Sequence, residues 1–577
     1  MSDRIAADPM RASPPSPSRR LTAWILAVIL AAALLLRLRG IGFGLPAIND
    51  PDELIFELGA VKMLRGGTLN PGWFGHPATT TLYLLAIVDM AVFGLGRALG
   101  WFGDIAAFGD AIYANPGWIV LPARVAMAAF GVGCVFLTHR LGSRLFDRRV
   151  GLTAAALLAA SPVHISYSQV VRSDVMATLF LLLMLLATLH FARTGTMRAL
   201  CLAAMWFGFA TTTKWPFAAC SVSFAAVALH RSWARGERPM RALLTPALFG
   251  AAGLAAILCI SPYLLIDHQA ALKSVMGEAQ THHVGATGQG VLWNVGWYVR
   301  APLFQAFGLF GLMLAAAGIA IGGRNREAAL LLLPFMVVIA LVTVTQHLIW
   351  VRWVLPLLPM LAIFAAVALW ALWDRLPTLP TPARVSVAAL LLAVLFAPLF
   401  LRAQADAAER INDTRQAATR WADAHIPKGS RIIIEHFGFD LLRRPWDYLF
   451  PLADAGCVDA RAVLKGKVQY AAVEAVRGGH HNVDYGTLTP GTQQSCDADY
   501  AILSQYDRYM AEAAMFPQEV ANYRELMARS TLLATIRPVA GEMGGPTIRI
   551  VRIDRPYRLG PASPGDGAVR PRQNDDI

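Results

Sequence analysis

Long apolar runs separated by short polar ones organise this chain. Runs near 21–40, 118–138, 151–169, 174–192, 199–213, 215–230, 243–264, 298–321, 328–347, 350–373 and 384–402 each approach the roughly 20 residues that a helix needs to cross a bilayer core. The pattern therefore predicts eleven membrane helices, and HPATTTLYLLAIVDMAVFGLG at 77–97 is apolar enough to be a twelfth. Loop charge assigns that last run. With a cytoplasmic N-terminus and 77–97 left out, the cytoplasmic loops are HRLGSRLFDRR, ARTGTMR, HRSWARGERPMR, GGRNR and DRLPTLPTPAR, all basic, as the positive-inside rule requires. Counting it as a span would put Arg140, Arg144, Arg148 and Arg149 outside. We therefore expect 77–97 to be a surface or re-entrant helix in a first outer loop covering 41–117.

The ends of the chain read differently. Residues 1–20, MSDRIAADPMRASPPSPSRR, are rich in Pro, Ser and Arg and predict a disordered cytoplasmic tail. The apolar run after them leads into Arg37, Arg39 and a Gly-rich loop, not a small-residue cleavage site, and reads as a retained anchor of the 21–402 membrane domain. An odd number of spans places residues 403–577 outside the cytoplasm. There DTRQAATRWADAHIPKG predicts a helix stopped by Pro and Gly, and RIIIEHF, DYAILSQY and TIRIVRI predict strands of a small α/β domain. The fold class expected is thus a polytopic α-helical membrane protein with a small C-terminal extracytoplasmic α/β domain.

Composition agrees with that reading. Of 577 residues, 56% are hydrophobic and 15% charged, against about 25% charged in soluble domains. The formal charge of +13 resides largely in the short loops, so it reports topology, and we expect no nucleic-acid partner. The six cysteines show no metal-binding spacing. Cys134, Cys201, Cys220 and Cys259 fall in apolar runs. Cys457 and Cys496, in the polar C-terminal third, are either a disulfide, which an oxidising outer compartment favours, or two small unpaired residues.

Polar groups beside hydrocarbon are costly and mark functional sites. The expected topology puts four sets of them on one side. Asp52 and Glu53 open a helix DELIFELGAVKML, with Glu57 one turn on. Arg172 and Asp174 flank a short turn, Lys214 interrupts TTTKWPFAA, and Arg352 starts QHLIWVRWVLPLLP. A later outer loop adds Glu278, His282 and His283. Each has a plainer reading: Arg352 and Lys214 as interfacial anchors beside Trp350, Trp353 and Trp215, Asp174 as a helix cap, and the histidines as a surface pair. Their convergence on one face favours a phosphate-bearing lipid held by Arg and Lys, with a carboxylate as general base.

The strings NDPDELIFELGAVKMLRGG and LNPGWFGHPATTTLYLL resemble the first outer loop of the GT-C membrane glycosyltransferases, in particular the group of protein O-mannosyltransferases and lipid A aminoarabinose transferases. SPVHISYSQVVRSDVMATLFLLLMLLAT is similar to that group's third and fourth spans, GFATTTKWPFAACSV to its Thr-Lys segment, VRWVLPLLPMLAIFAA to its Arg-aromatic-x-Leu-Pro segment, and DTRQAATRWADAHIPKGSRI to the start of the periplasmic domain of bacterial members. The ordered set, over 21 to about 435, carries the resemblance. It implies transfer of a sugar from a polyprenyl-phosphate donor to a glycan or lipid hydroxyl at the outer face of the inner membrane, with inversion. Asp52 would be the base, with Glu53 beside it, and Asp174 would orient hydroxyls. Arg172, Lys214, Arg352 and His76 would hold the donor phosphate, and Glu278, His282 and His283 would contact substrate.

Two departures narrow this. Gly75-His76-Pro77-Ala78 replaces a Glu-Lys pair that precedes Pro-Pro in aminoarabinose transferases, which argues against that sugar. No large domain interrupts the later spans, which argues against a protein acceptor. Asp50 either caps the surface helix or joins Asp52 in a metal site, so a divalent metal stays open. A lipid-linked-sugar transporter or a polyprenyl-phosphate-binding assembly protein remain the alternatives, although the chain lacks the internal repeats usual in transporters.

Overall fold

The computed structural model describes residues 18–75, 79–277, 280–376, 380–435, 443–464 and 483–555. Residues 1–17 of the expected tail, His76 and Glu278 lie outside the described residues. The chain divides into two units, Met1–Asn412 with Val539–Gly544, and Asp413–Pro538 with Gly545–Ile577. The division follows the last long helix, which runs unbroken over Thr381–Ile411.

The first unit is helical. Its first ten α-helices are α1 (Arg19–Leu38), α2 (Pro51–Gly66), α3 (Thr79–Ala98), α4 (Ile105–Ala114), α5 (Gly117–Leu145), α6 (Arg148–Ala160), α7 (Pro162–Tyr167), α8 (Ser173–Thr194), α9 (Met197–Thr213) and α10 (Ser221–Ala234). Among the described residues nine helices are long and apolar enough to cross a membrane, against the eleven predicted. The difference lies in helix breaks. The run 151–169 divides at Ser161–Pro162. Lys214, in extended conformation before the Trp215–Cys220 turn, separates α9 from α10. α3 is itself one of the nine, so the run at 77–97 has a span's length.

Burial sorts the helices. Ser173–Thr194 and Val351–Trp373 lie inside the bundle, while Arg19–Leu38, Pro239–Ile260 and Thr381–Ile411 bury little of their apolar surface and present residues such as Trp24, Leu254 and Leu390 outward. That exposed apolar belt suits lipid, where helices associate by close packing rather than by hydrophobic exclusion. The bundle core joins α5, α6, α8 and α9 to Phe304–Gly322 and Leu358–Trp373 through residues such as Leu141, Leu158, Leu181, Leu185, Leu314 and Phe364.

The second unit is a six-stranded sheet with helices. Its strands are β1 (Arg431–Ile434), β2 (Asp447–Pro451), β3 (Cys457–Asp459), β4 (Tyr500–Leu503), β5 (Ser530–Ile536) and β6 (Ile548–Ile553). Their order is β3-β2-β1-β4-β6-β5. β1 runs parallel to both β2 and β4, and the remaining pairs are antiparallel. The expected helix forms over Thr414–His425, capped by Asp413, and the three expected strands are β1, β4 and β6. Sequence pattern missed β2, β3 and β5. Cys457 and Cys496 form a disulfide with their Cα atoms 5.0 Å apart.

Candidate active site

The acid-rich segment 50–57 folds because each residue at its start has a helix-specific task. Asp50 is the N-cap of α2, accepting from the Asp52 N–H at 3.1 Å. Pro51 fills the first helical position, where no N–H is needed, and Gly67 closes the helix in the left-handed region at φ 58°. This start places Asp50, Asp52 and Glu53 against the turn between α7 and α8.

Arg172 stands at the N-cap of α8 in extended conformation. Its Nη2 donates to Asp50 Oδ1 at 2.9 Å and its Nε to Asp50 Oδ2 at 3.2 Å, and its Nη1 forms an ion pair with Asp52. Burial pushes the Asp50 carboxyl up, but the Arg172 charge and hydrogen bonds outweigh it and hold Asp50 below its ordinary value. Asp174, in the first turn of α8, is ion-paired with Lys214. Asp174 makes no side-chain cap at that helix start. Asp50 and Asp52 thus share Arg172, and Asp174 takes Lys214. Of the three acids, Asp52 is the most open, its side chain 30% exposed against 21% for Asp50 and 2% for Asp174.

Arg352 differs from the other cations. It lies in the short Val351–Leu357 turn that leads into Leu358–Trp373, is buried, and lies within electrostatic reach of Arg172, Asp174 and Asp52. Among the described residues no carboxylate pairs with it, and its Nε has no hydrogen-bond partner. Its guanidinium instead lies 4.3 Å from the centre of the Trp350 ring. Tyr167 completes the cluster, its phenol within reach of Asp50, Arg172, Asp174 and Arg352.

Glu53 is placed apart from these groups. Its carboxylate takes both arms of Arg124, at 2.8 and 2.6 Å, and accepts from the Val171 N–H at 3.0 Å. Arg124 also donates to the carbonyls of Ile41 and Phe43, each at 2.8 Å. This fully buried pair fastens α2, α5 and the turn before α8 together. One turn on, both Glu57 oxygens are buried without partners among the described residues. Burial, then the charges of Asp89 and Glu53, push this carboxyl well up.

Of the later-loop residues, His282 is exposed and bonded to Thr281 at 2.9 Å. The His283 ring meets Trp350 edge-on, centroids 4.9 Å apart. The segment around His76 is anchored on both sides: Trp215 Nε1 donates to the Phe74 carbonyl at 2.7 Å, and Thr80 bonds Thr212 at 2.6 Å. Sequence reasoning missed Arg124, Tyr167 and the role of Trp350. Arg124 had a usable signal, a lone cation inside an apolar run. Tyr167 and Trp350 had none. Among the described residues no three His, Cys, Asp or Glu side chains group to hold a metal. Asp50 and Asp52 are bonded to one guanidinium, so a cation between them would have to displace Arg172.

Residues 102–266 match the family model described as dolichyl-phosphate-mannose-protein mannosyltransferase. That span contains Arg172, Asp174 and Lys214. The resemblance is to a membrane glycosyltransferase family. Among solved structures, the apo crystal structure of ArnT from Cupriavidus metallidurans is 13% identical with a TM-score of 0.48, covering 92% of this chain and 98% of its own. ArnT bound to undecaprenyl phosphate is 14% identical with a TM-score of 0.46, covering 93% of this chain and 98% of its own. The oligosaccharyltransferase AglB from Archaeoglobus fulgidus, in complex with an inhibitory peptide and a dolichol-phosphate, is 12% identical with a TM-score of 0.48, covering 89% of this chain and 73% of its own. No curated protein matches the chain in sequence.

Proposed function

We propose that this protein is a glycosyltransferase of the inner (cytoplasmic) membrane. Its N-terminus is cytoplasmic and its C-terminal unit periplasmic. It moves a sugar from a polyprenyl-phosphate donor to a glycan or lipid hydroxyl at the outer face. The observation that carries this reading is the joining of an accessible carboxylate, Asp52, to a cluster whose Arg352 has no acid partner among the described residues. A donor phosphate supplies the anion such a cation lacks, and the match of 102–266 to a mannosyltransferase family agrees with that ligand class.

The chemistry follows from the groups. Asp52 takes the proton of the acceptor hydroxyl as its oxygen attacks the anomeric carbon. The sugar–phosphate C–O bond breaks on the opposite face, which inverts the centre and leaves polyprenyl phosphate. Negative charge grows on that phosphate, and Arg352, Arg172 and Lys214 neutralise it, a contribution whose loss typically costs ~10²–10³ in rate. Asp174, held by Lys214, orients hydroxyls. Glu53, enclosed by Arg124, acts by holding α2 in place.

The test compares cells carrying the wild type, Asp52→Asn and a deletion, with mass spectrometry of lipid-linked and envelope glycans. We expect Asp52→Asn to reproduce the deletion by losing one defined sugar, since a missing general base typically lowers rate by ~10²–10⁴. An unchanged glycan in Asp52→Asn cells, with a changed one in Arg352→Ala cells, would instead mark a lipid-phosphate binder or transporter.

A further inference from the structure

We propose that Trp350 is a positioning residue that keeps Arg352 available for an anionic ligand. This inference rests on the polyprenyl-phosphate reading above and adds a residue to it. Arg124 is matched by Glu53, Arg172 by Asp50 and Asp52, and Lys214 by Asp174. Arg352 feels the charges of Asp52 and Asp174, yet it forms no ion pair among the described residues. A guanidinium in a weakly screened site is drawn strongly to any carboxylate it can reach, so its isolation requires a competing contact.

The indole of Trp350 supplies one. The guanidinium lies 4.3 Å from its ring centre, within the range where the negative face of an aromatic ring attracts a cation, and tryptophan is the strongest of the aromatic residues in this role. The main chain that carries the indole is itself held. The Trp350 backbone N–H donates to the Tyr298 hydroxyl at 3.2 Å. The residues before it are laced to the later outer loop, Ile349 N–H to the Ala286 carbonyl at 2.9 Å and Gly288 N–H to the His347 carbonyl at 2.7 Å. His283 packs its ring edge against the indole. The loop 283–288 thus acts as a strap that fixes Trp350, and Trp350 fixes Arg352. His283 then contributes by packing on Trp350.

The experiment is calorimetric titration of the purified full-length protein with farnesyl phosphate, on wild type, Trp350→Leu, Trp350→Phe, Arg352→Ala and the Trp350→Leu/Arg352→Ala double variant, each checked for folding by thermal unfolding. We expect Trp350→Leu to weaken binding about tenfold and Trp350→Phe about two- to threefold, following the order of ring strengths. In the Arg352→Ala background Trp350→Leu should add less than about twofold, because Trp350 acts only through Arg352. An equal loss in both backgrounds would assign Trp350 a general packing role and overturn the proposal. So would wild-type affinity in folded Trp350→Leu, or in Trp350→Phe if the leucine variant does not fold. Wild-type protein that binds no farnesyl phosphate would overturn the polyprenyl-phosphate reading, and this proposal with it.

Discussion

Asp52 and Glu53 are neighbours in sequence with opposite surroundings. Asp52 is held on one side by Arg172 and remains partly open. Glu53 is enclosed, every described contact to its carboxylate coming from Arg124 or the Val171 N–H. Burial nonetheless pushes the Glu53 carboxyl above its ordinary value, against the pull of Arg124, so the pair is fragile to removal of one partner. Glu53→Gln leaves the Arg124 guanidinium buried without its counter-charge, which typically costs about 3–5 kcal/mol. We expect that variant to melt well below wild type in a thermal unfolding assay. Asp52→Asn should melt close to wild type, because Arg172 keeps Asp50, while losing transfer. A common drop in melting temperature would mean that Asp52 is structural too.

At the level of elements, the site is made where helices stop. Arg172 stands just before α8, Lys214 ends α9, Arg352 lies in a short turn before a long helix, and Asp50 caps α2. These ends can be held together because the helices behind them pack closely. Gly318, in Phe304–Gly322, is a case in point: a Cβ there would overlap the Phe364 carbonyl oxygen on the helix Leu358–Trp373. Small residues permit such backbone approach between membrane helices. Gly318→Ala must push those helices apart, and overpacking of this kind typically costs about 1–3 kcal/mol. A Cβ added at Gly250 would meet no described atom within 4 Å, so Gly250→Ala should be neutral or slightly stabilising. The two variants, compared by thermal unfolding in one detergent, check the packing directly.

Over the whole molecule, the two units hold acids by different means. In the second, Glu435 at the end of β1 accepts from the Tyr485, Ser504 and Gln505 N–H groups and the Tyr523 hydroxyl. Asp484 nearby accepts from the Thr487 N–H and the Tyr509 hydroxyl, at 3.1 and 3.0 Å. Burial and the Glu435 charge push the Asp484 carboxyl from its ordinary 3.8 up to about 8. A carboxyl raised in the folded state keeps its proton there while the unfolded chain has lost it. Stability of this unit therefore falls as pH rises from about 4 to about 8 and levels off above. Asp484→Asn, neutral throughout, should flatten that slope. Calorimetry of the full-length protein at pH 5 and pH 8 reads the effect, and an unchanged slope would show that Asp484 titrates normally.

Apolar run length was enough to establish from sequence a polytopic helical protein, because hydropathy is summed over many residues and tolerates local error, and the α/β class of the C-terminal domain followed from its helix stop signals and three apolar strand patterns. The α2 start was legible for the same reason that it folds, since its cap, Pro and acids lie within one turn. Strands β2, β3 and β5 were not: β3 is only 3 residues long, β2 is buried along most of its length, and β5 is mostly exposed, so none shows the half-buried alternation that marks a strand in sequence. Nor could sequence separate Asp52 from Glu53, or tell that Arg352 rests on an indole while Arg172 and Lys214 are paired. Those distinctions depend on which side chain from another helix arrives within a few ångströms. Arg124 reaches Glu53 across 71 positions and Arg172 reaches Asp50 across 122. The residue types needed for the proposed phosphate chemistry are written in the sequence, and their division into paired cations, a buried lock and a cation left without an acid among the described residues was decided by tertiary packing.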